Sequence, residues 1–190
     1  MSDGADTAGL DAACARHGYV IGLAGWSGSG KTTLAEKLIA ALTARGLDVA
    51  TIKHAHHAFD ADTPGKDSYR HRAAGARQVI VSSHARSVVF TENREREEAA
   101  LDSLLGALAP ADIVIVEGFK REAIPKIEIH RAETGKPPLF PDDGLILALA
   151  TKGAVAPDGT PPQILDLDDI EAIAAYICGL AGRTDVAAAS

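Results

Sequence analysis

The chain has 190 residues, 46% of them hydrophobic, and a formal net charge of -7, which suits one α/β domain with a full core and argues against a surface built for nucleic acid or anionic membrane. Its two cysteines, Cys14 and Cys178, lie near opposite ends with no C-x-x-C pair, so neither a disulfide framework nor a zinc knuckle is indicated and the compartment reads as reducing. The start, Met1-Ser-Asp-Gly-Ala-Asp6, lacks the basic and apolar regions of a signal peptide, and no stretch approaches the ~20 apolar residues of a membrane span, so a cytoplasmic protein is expected.

Residues 1–17 are small, polar and Ala-rich with no sustained period, and residues 182–190 are similar. Both read as disordered tails around a nucleotide-binding domain over 18–181. Tyr19-Val-Ile-Gly-Leu-Ala24 is a strand-like run, and directly after it comes Gly25-Trp-Ser-Gly-Ser-Gly-Lys-Thr32, a complete G-x-x-x-x-G-K-[ST] phosphate-binding loop. A triphosphate packs several negative charges into a small volume. Glycines at 25, 28 and 30 let backbone N–H groups curl around the β-phosphate. Lys31 brings a point charge to the β- and γ-phosphates, Thr32 a hydroxyl for Mg²⁺, and the helix that begins there adds the positive end of its dipole.

Leu34, Leu38, Ala41 and Leu42 recur at helical spacing up to Gly46, and Leu47–Lys53 reads as a second strand, so the order favours parallel pairing with a right-handed crossover. The segment from Lys53 to Ser68 then begins at the ligand-bearing edge of the sheet. In it, His54 and His56 share a face if the strand continues, a spacing that suits a metal or an anion, although no third ligand accompanies them. Asp60 and Asp62 have the stronger claim, because an acid just past a strand can meet Mg²⁺ directly or through water. Asp62 is the expected metal ligand and Asp60 the expected partner of the attacking water. Lys66–Ala76 reads as a helix, where Lys66 and Arg70 either face an anion or are solvated.

Gln78–Ser82 and Ser87–Thr91 are strands too close for a helical crossover, so they predict an antiparallel hairpin that makes the sheet partly mixed. Arg94–Leu108 reads as a helix. Asp112-Ile-Val-Ile-Val-Glu117 describes a buried strand that presents an acid at its C-terminal edge, where ligands bind in open α/β sheets. Glu117, rather than Asp112, is placed to hold Mg²⁺ through water or to orient the nucleophile. Gly118-Phe-Lys-Arg121 is a basic loop at the same edge. Ile124–His130 and Leu145–Ala150 are further strands, and Leu167, Ile170, Ile173, Ala174 and Ile177 mark a closing amphipathic helix. Thr151-Lys-Gly-Ala154 stands where guanine-specific proteins often carry N/T-K-x-D, but Ala154 replaces the aspartate, so these residues do not choose between GTP and ATP. The fold class expected is a P-loop NTPase three-layer αβα sandwich with a mostly parallel, partly mixed sheet.

Three segments in this order resemble the molybdopterin-guanine dinucleotide biosynthesis adaptor proteins (MobB): Ala24–Thr33, Ile52–His57 running into Asp60-Ala-Asp62 and Pro64–Arg70, and Val116-Glu-Gly-Phe-Lys120. The resemblance spans roughly residues 19–180. It implies a GTP-binding, Mg²⁺-dependent, weakly GTP-hydrolysing homodimer that assists a guanylyltransferase in forming molybdopterin-guanine dinucleotide. It also implies that Gly28, Ser29, Gly30, Lys31, Thr32 and Thr33 hold phosphate and Mg²⁺, that Glu117 serves the metal and water, and that the segment from His54 through His56 and Asp60 to Asp62 lies near the nucleotide or molybdopterin. Gly25 and Ser27 of the same loop are expected at the phosphates, and Lys120 of the basic loop at phosphate or partner. Direct contact with molybdopterin is left open. Two other classes share the loop: a small-molecule kinase, for which Arg94-Glu-Arg96 is a lid fragment among many glutamates, and a nucleotide-dependent metal chaperone using His54, His56 and His57.

Overall fold

The computed structural model describes residues 3–55, 59–93, 98–153 and 162–183. In chain order its elements are α1 (Asp3–Cys14), β1 (Tyr19–Ala24), α2 (Lys31–Ala44), β2 (Val49–Lys53), α3 (Asp67–Ala73), β3 (Gln78–Ser82), β4 (Ser87–Thr91), α4 (Leu101–Ala107), β5 (Ile113–Glu117), β6 (Lys126–His130), β7 (Ile146–Thr151), β8 (Gln163–Asp166) and α5 (Ile170–Leu180). Two compact units result, one of Met1–His54 with Leu101–Ser190 and one of Ala55–Ala100.

The first unit is built on a six-stranded sheet of order β2-β5-β1-β6-β7-β8 in which every pair is parallel. Its inner strands are the near-continuous apolar runs that burial on both faces demands. Period-2 alternation divides them. Ile21, Leu23, Ile113, Ile115, Ile127 and Ile129 meet Leu34, Leu38 and Leu42 of α2 and Ile173 and Ile177 of α5, whereas Val20, Ile52, Val114 and Val116 meet Leu101 and Leu105 of α4. Each fully buried leucine or isoleucine contributes roughly 1.5–3 kcal/mol, so these two clusters hold the three layers together. At the N-terminus of α5, Asp169 Oδ1 accepts the Ala172 N–H at 2.9 Å, satisfying a donor the helix cannot.

Three expectations change. The hairpin is antiparallel as its four-residue connection requires, with Ile80 opposite Val89 and Val81 opposite Val88, but it forms its own two-stranded sheet in the second unit. The large sheet is therefore wholly parallel, not mixed. The N-terminal segment is a helix over Asp3–Cys14 rather than a disordered tail, because Leu10 and Ala13 share a face and bury against Leu101 and Leu105. A stripe of one leucine and one alanine shows no period in sequence; only the partner helix gives it a core to join. Strand β8 has no counterpart in the sequence reading, since Gln163-Ile-Leu-Asp166 is an edge strand with only Leu165 buried.

In the second unit, Arg72 is the hub. Its guanidinium lies 2.9 Å from Asp60 Oδ1, 3.1 Å from Asp62 Oδ2 and 2.5 Å from Glu92 Oε1, with Cζ 5.2 Å from the Phe90 ring centroid. Asp62 also accepts from Ser68 Oγ (2.8 Å) and the Thr63 N–H (2.9 Å). The Arg72 hydrogen bond holds the Asp60 carboxyl below the ordinary range; burial opposes the same effect at Asp62, where the bonds from Ser68 and Arg72 prevail. A carboxylate whose folded value is depressed contributes its stability above the unfolded value, about 3.9 for Asp, and loses it as pH falls through the folded value. Protection of the 60–92 amides against hydrogen exchange, relative to the intrinsic rate at each pH, is thus expected to be steady near neutrality and to fall below about pH 4. Arg72→Met should weaken that acid step, and an unchanged pH profile would contradict the role of the hub.

Candidate functional site

All six parallel strands of the first unit end on one edge, so the segments that follow them converge there. The loop Gly25–Gly30 joins β1 to α2, and it can do so only with glycine at key points. Gly25 has φ 142°, and a Cβ there would lie 2.6 Å from the Ile129 carbonyl oxygen. Gly28 and Gly30 take φ 83° and 96°, left-handed values that curl the backbone into an anion-binding concavity. The first bond returning into α2 is from the Leu34 N–H to the Gly30 carbonyl (3.0 Å). The amides of Lys31, Thr32 and Thr33 precede it, at the positive end of a 14-residue helix.

Side chains complete the loop. Lys31 Nζ donates to the carbonyls of Gly25 and Trp26, each at 2.9 Å. Burial lowers the Lys31 pKa, Glu117 opposes the shift, and the charges of Lys120 and Lys53 add to it. Ser29 is buried, and its Oγ has no hydrogen-bond partner among the described residues, an arrangement that costs about 1–3 kcal/mol unless a ligand supplies the partner. Ser27, Thr32 and Thr33 are exposed.

The strand end at Glu117 meets this loop. Thr32 Oγ1 donates to Glu117 Oε1 at 2.6 Å, and Lys53 Nζ lies 3.1 Å from Thr32 Oγ1 and 3.4 Å from Glu117 Oε2. A hydroxyl beside a carboxylate is a hard-oxygen set of the kind a divalent cation takes, and the amides and Lys31 next to it are donors for phosphate. The residues present therefore fit a phosphate chain with its cation. Lys53 is a neighbour to which the sequence assigns no role; it is the last residue of β2, opposite Glu117 in the parallel register, a pairing that neither strand shows by itself.

Gly118 takes φ 101°, and a Cβ there would lie 2.7 Å from the His54 Cβ. This close approach explains the Glu-Gly-Phe order: the glycine lets the two strand ends meet, and the Phe119 ring packs against His54 at a 45° tilt, 5.3 Å between centroids. Lys120 Nζ sits 4.6 Å over the Trp26 ring, and Lys136 Nζ at 5.9 Å, while Trp26 Nε1 donates to the Pro137 carbonyl (2.8 Å). The segment that carries Lys136 and Pro137 is itself tied to the sheet, because buried Glu128 accepts the Leu139 and Phe140 N–H groups at 2.7 and 2.9 Å. Burial raises the Glu128 pKa against those bonds. Arg131, next after β6, donates from Nε to the Ser29 carbonyl (2.9 Å) and flanks Gly30. Arg131, Lys136 and the docking of Trp26 were not read from sequence, since a loop far along the chain supplies them.

The structure thus brings Lys31, Thr32, Glu117, Lys53 and Lys120 together. Asp60 and Asp62 belong to the second unit, where their carboxylates are engaged by Arg72. His56, His57, Arg94, Arg96 and Ala154 lie outside the described residues. Among the described residues no group of three metal-ligating side chains occurs, and no helix is long and apolar enough to cross a membrane.

The model of the family "Molybdopterin guanine dinucleotide synthesis protein B" (MobB) matches residues 20–152. A molybdopterin-guanine dinucleotide biosynthesis adapter protein of Escherichia coli (strain K12) is 42% identical over 161 residues, covering 83% of this chain and 90% of that one. The protein of the same name from Haemophilus influenzae is 44% identical over 161 residues, with coverage of 83% and 86%. A crystal structure of molybdopterin-guanine biosynthesis protein B shares 28% identity and superposes with a TM-score of 0.65 over 86% of this chain and 99% of that one. With a glycine loop, a strand-end acid and an α/β sheet that all agree with these likenesses, the chain belongs to the MobB family.

Proposed function

We propose that the chain is a GTP-binding adaptor in molybdopterin-guanine dinucleotide biosynthesis, with weak, Mg²⁺-dependent GTPase activity, assisting a partner guanylyltransferase. The observation that carries the reading is the contact of Thr32 Oγ1 with Glu117 Oε1 at the mouth of the glycine loop. The adapter names of its relatives support the pathway. Backbone amides from Gly28 to Thr33, with Lys31, would hold the phosphates; Thr32 and Glu117 would hold Mg²⁺, Glu117 directly or through water. Bound Mg²⁺ would spread the negative charge of the β- and γ-phosphates. Glu117 is also the residue placed to orient water, and Lys53 keeps a positive charge beside both oxygens. Slow turnover follows from the modest equipment: a stabilising arginine supplied in trans can be worth ~10³ to 10⁵ in rate.

A cytoplasmic homodimer completes the proposal. The hairpin of the second unit exposes Ile80 and Val89 on one face and Val81 and Val88 on the other, apolar surface of the kind that self-association covers. Titration of the purified chain with GTP and ATP in Mg²⁺ should show preferential GTP binding and slow release of phosphate to water. Light scattering should give twice the 19.7 kDa chain mass. Rapid phosphorylation of an added small-molecule acceptor would replace the adaptor reading with a kinase.

A further inference from the structure

Among the described residues of the first unit, a carboxylate suited to reading a base lies away from the phosphate loop. Glu117 and Lys53 end β5 and β2, both on one side of β1 in the sheet. A triphosphate with its γ end and cation at those groups therefore runs its nucleoside the other way, across the ends of β6, β7 and β8. Neighbouring strands are about 4.8 Å apart, so β7 and β8 lie roughly 10 and 14 Å across the sheet from β1. A nucleotide spans such a distance between its β-phosphate and the far edge of its purine. The orphaned Ser29 hydroxyl independently marks the loop at which that ligand starts.

On the nucleoside side stand Thr151 at the end of β7, Lys152 just after it, and Asp168 after β8. Lys152 Nζ lies 2.6 Å from Asp168 Oδ2. The two neighbouring acids are used locally: Asp166 Oδ1 accepts the Asp168 N–H, and Asp169 Oδ1 caps α5, both at 2.9 Å. Asp168 differs from them. Its side chain is 60% exposed, and among the described residues Lys152 is its one ion-pair partner. The Lys152 hydrogen bond and charge, then the charges of Lys37 on α2 and Arg131, hold its carboxyl below the ordinary range. Arg131 also touches the loop, through the Ser29 carbonyl, so Asp168 shares the field of the loop's rim.

Resting on the nucleotide reading above, we propose that Asp168, held by Lys152, selects guanine by accepting hydrogen bonds from the N1–H and 2-amino groups of the base. Each carboxylate oxygen has two lone pairs, so the bond to Lys152 leaves capacity for both. Adenine turns an acceptor N1 and no amino group to the same place, leaving a carboxylate opposed by a lone pair. The base-reading acid has thus moved from position 154, where the T-K-x-D pattern would put it and alanine stands, to the loop after the next strand.

The test is competition of GTP, ATP, inosine triphosphate and xanthosine triphosphate on the full chain and on Asp168→Asn. A bidentate pair discriminates by about five- to 150-fold. The wild type should prefer GTP to the inosine and xanthosine forms by that factor, while Asp168→Asn should reverse GTP against xanthosine triphosphate, because its amide donates to the 2-oxygen, and leave ATP affinity unchanged. Lys152→Met should weaken GTP severalfold without gaining xanthosine triphosphate. GTP preference intact in Asp168→Asn, or a wild type that takes xanthosine triphosphate as well as GTP, overturns the assignment of Asp168 while the phosphate site stands. A wild type that binds no triphosphate overturns both. Should Asp168→Asn fail to fold, the wild-type ratio of GTP to xanthosine triphosphate decides alone.

Discussion

Lys31→Ala is expected to weaken triphosphate binding by about a hundredfold or more, the scale of one or two charged hydrogen bonds at ~1.5–3 kcal/mol each, while leaving the fold intact. The lysine is only partly buried, and its two bonds to the Gly25 and Trp26 carbonyls can pass to water. Burial already penalises its charge, so its loss should leave the thermal midpoint within a few degrees of the parent. Calorimetric titration with GTP and Mg²⁺, alongside a melting curve, separates these effects. Undiminished affinity would remove Lys31 from the phosphates, and a collapsed midpoint would make it a structural residue.

Glu117→Gln should have the second-largest effect, and a selective one. The glutamine keeps the shape and can still accept the Thr32 hydroxyl bond now made at 2.6 Å, but it gives up the charge that a cation needs. Without Mg²⁺ the variant should bind GTP at least as well as the parent, since a carboxylate near the phosphates has gone. With Mg²⁺, the gain in affinity that the parent shows should shrink by about tenfold or more, and hydrolysis should fall about 10²-fold, the low end of a positioned acid or base. Titrations with and without Mg²⁺ read the first effect and single-turnover phosphate release the second. Equal Mg²⁺ dependence in the two proteins would show that Glu117 merely ends a strand.

Neither prediction needed the coordinates to name its residue. Lys31 belongs to a motif whose spacing encodes its own geometry, and Glu117 ends a run of apolar residues that can only be a central strand. The nearest neighbours of both were hidden. Lys53 contacts Thr32 and Glu117 because β2 and β5 pair in parallel with Lys53 opposite Glu117, and register is not written in either strand alone. The claim of Asp62 on the metal rested on its position after β2, whereas its carboxylate is occupied by Arg72 and Ser68. Helix α1 was missed for a similar reason: Leu10 and Ala13 become a core face only when Leu101 and Leu105 lie beside them.

Local pattern was thus sufficient for the α/β class, the strand–loop–helix at Gly25–Thr32 and the acid at Glu117, because glycine conformations, apolar periodicity and a terminal carboxylate act within a few residues. The tertiary structure alone decided that the sheet is wholly parallel, that the hairpin belongs to a second unit, that Arg131 and Trp26 with Lys120 gather at the loop, and that Lys152 pairs with Asp168 beyond the ends of β7 and β8. Those outcomes depend on strand order and on ion pairs between segments far apart in the chain, whose energies exist only once the sheet has brought them together.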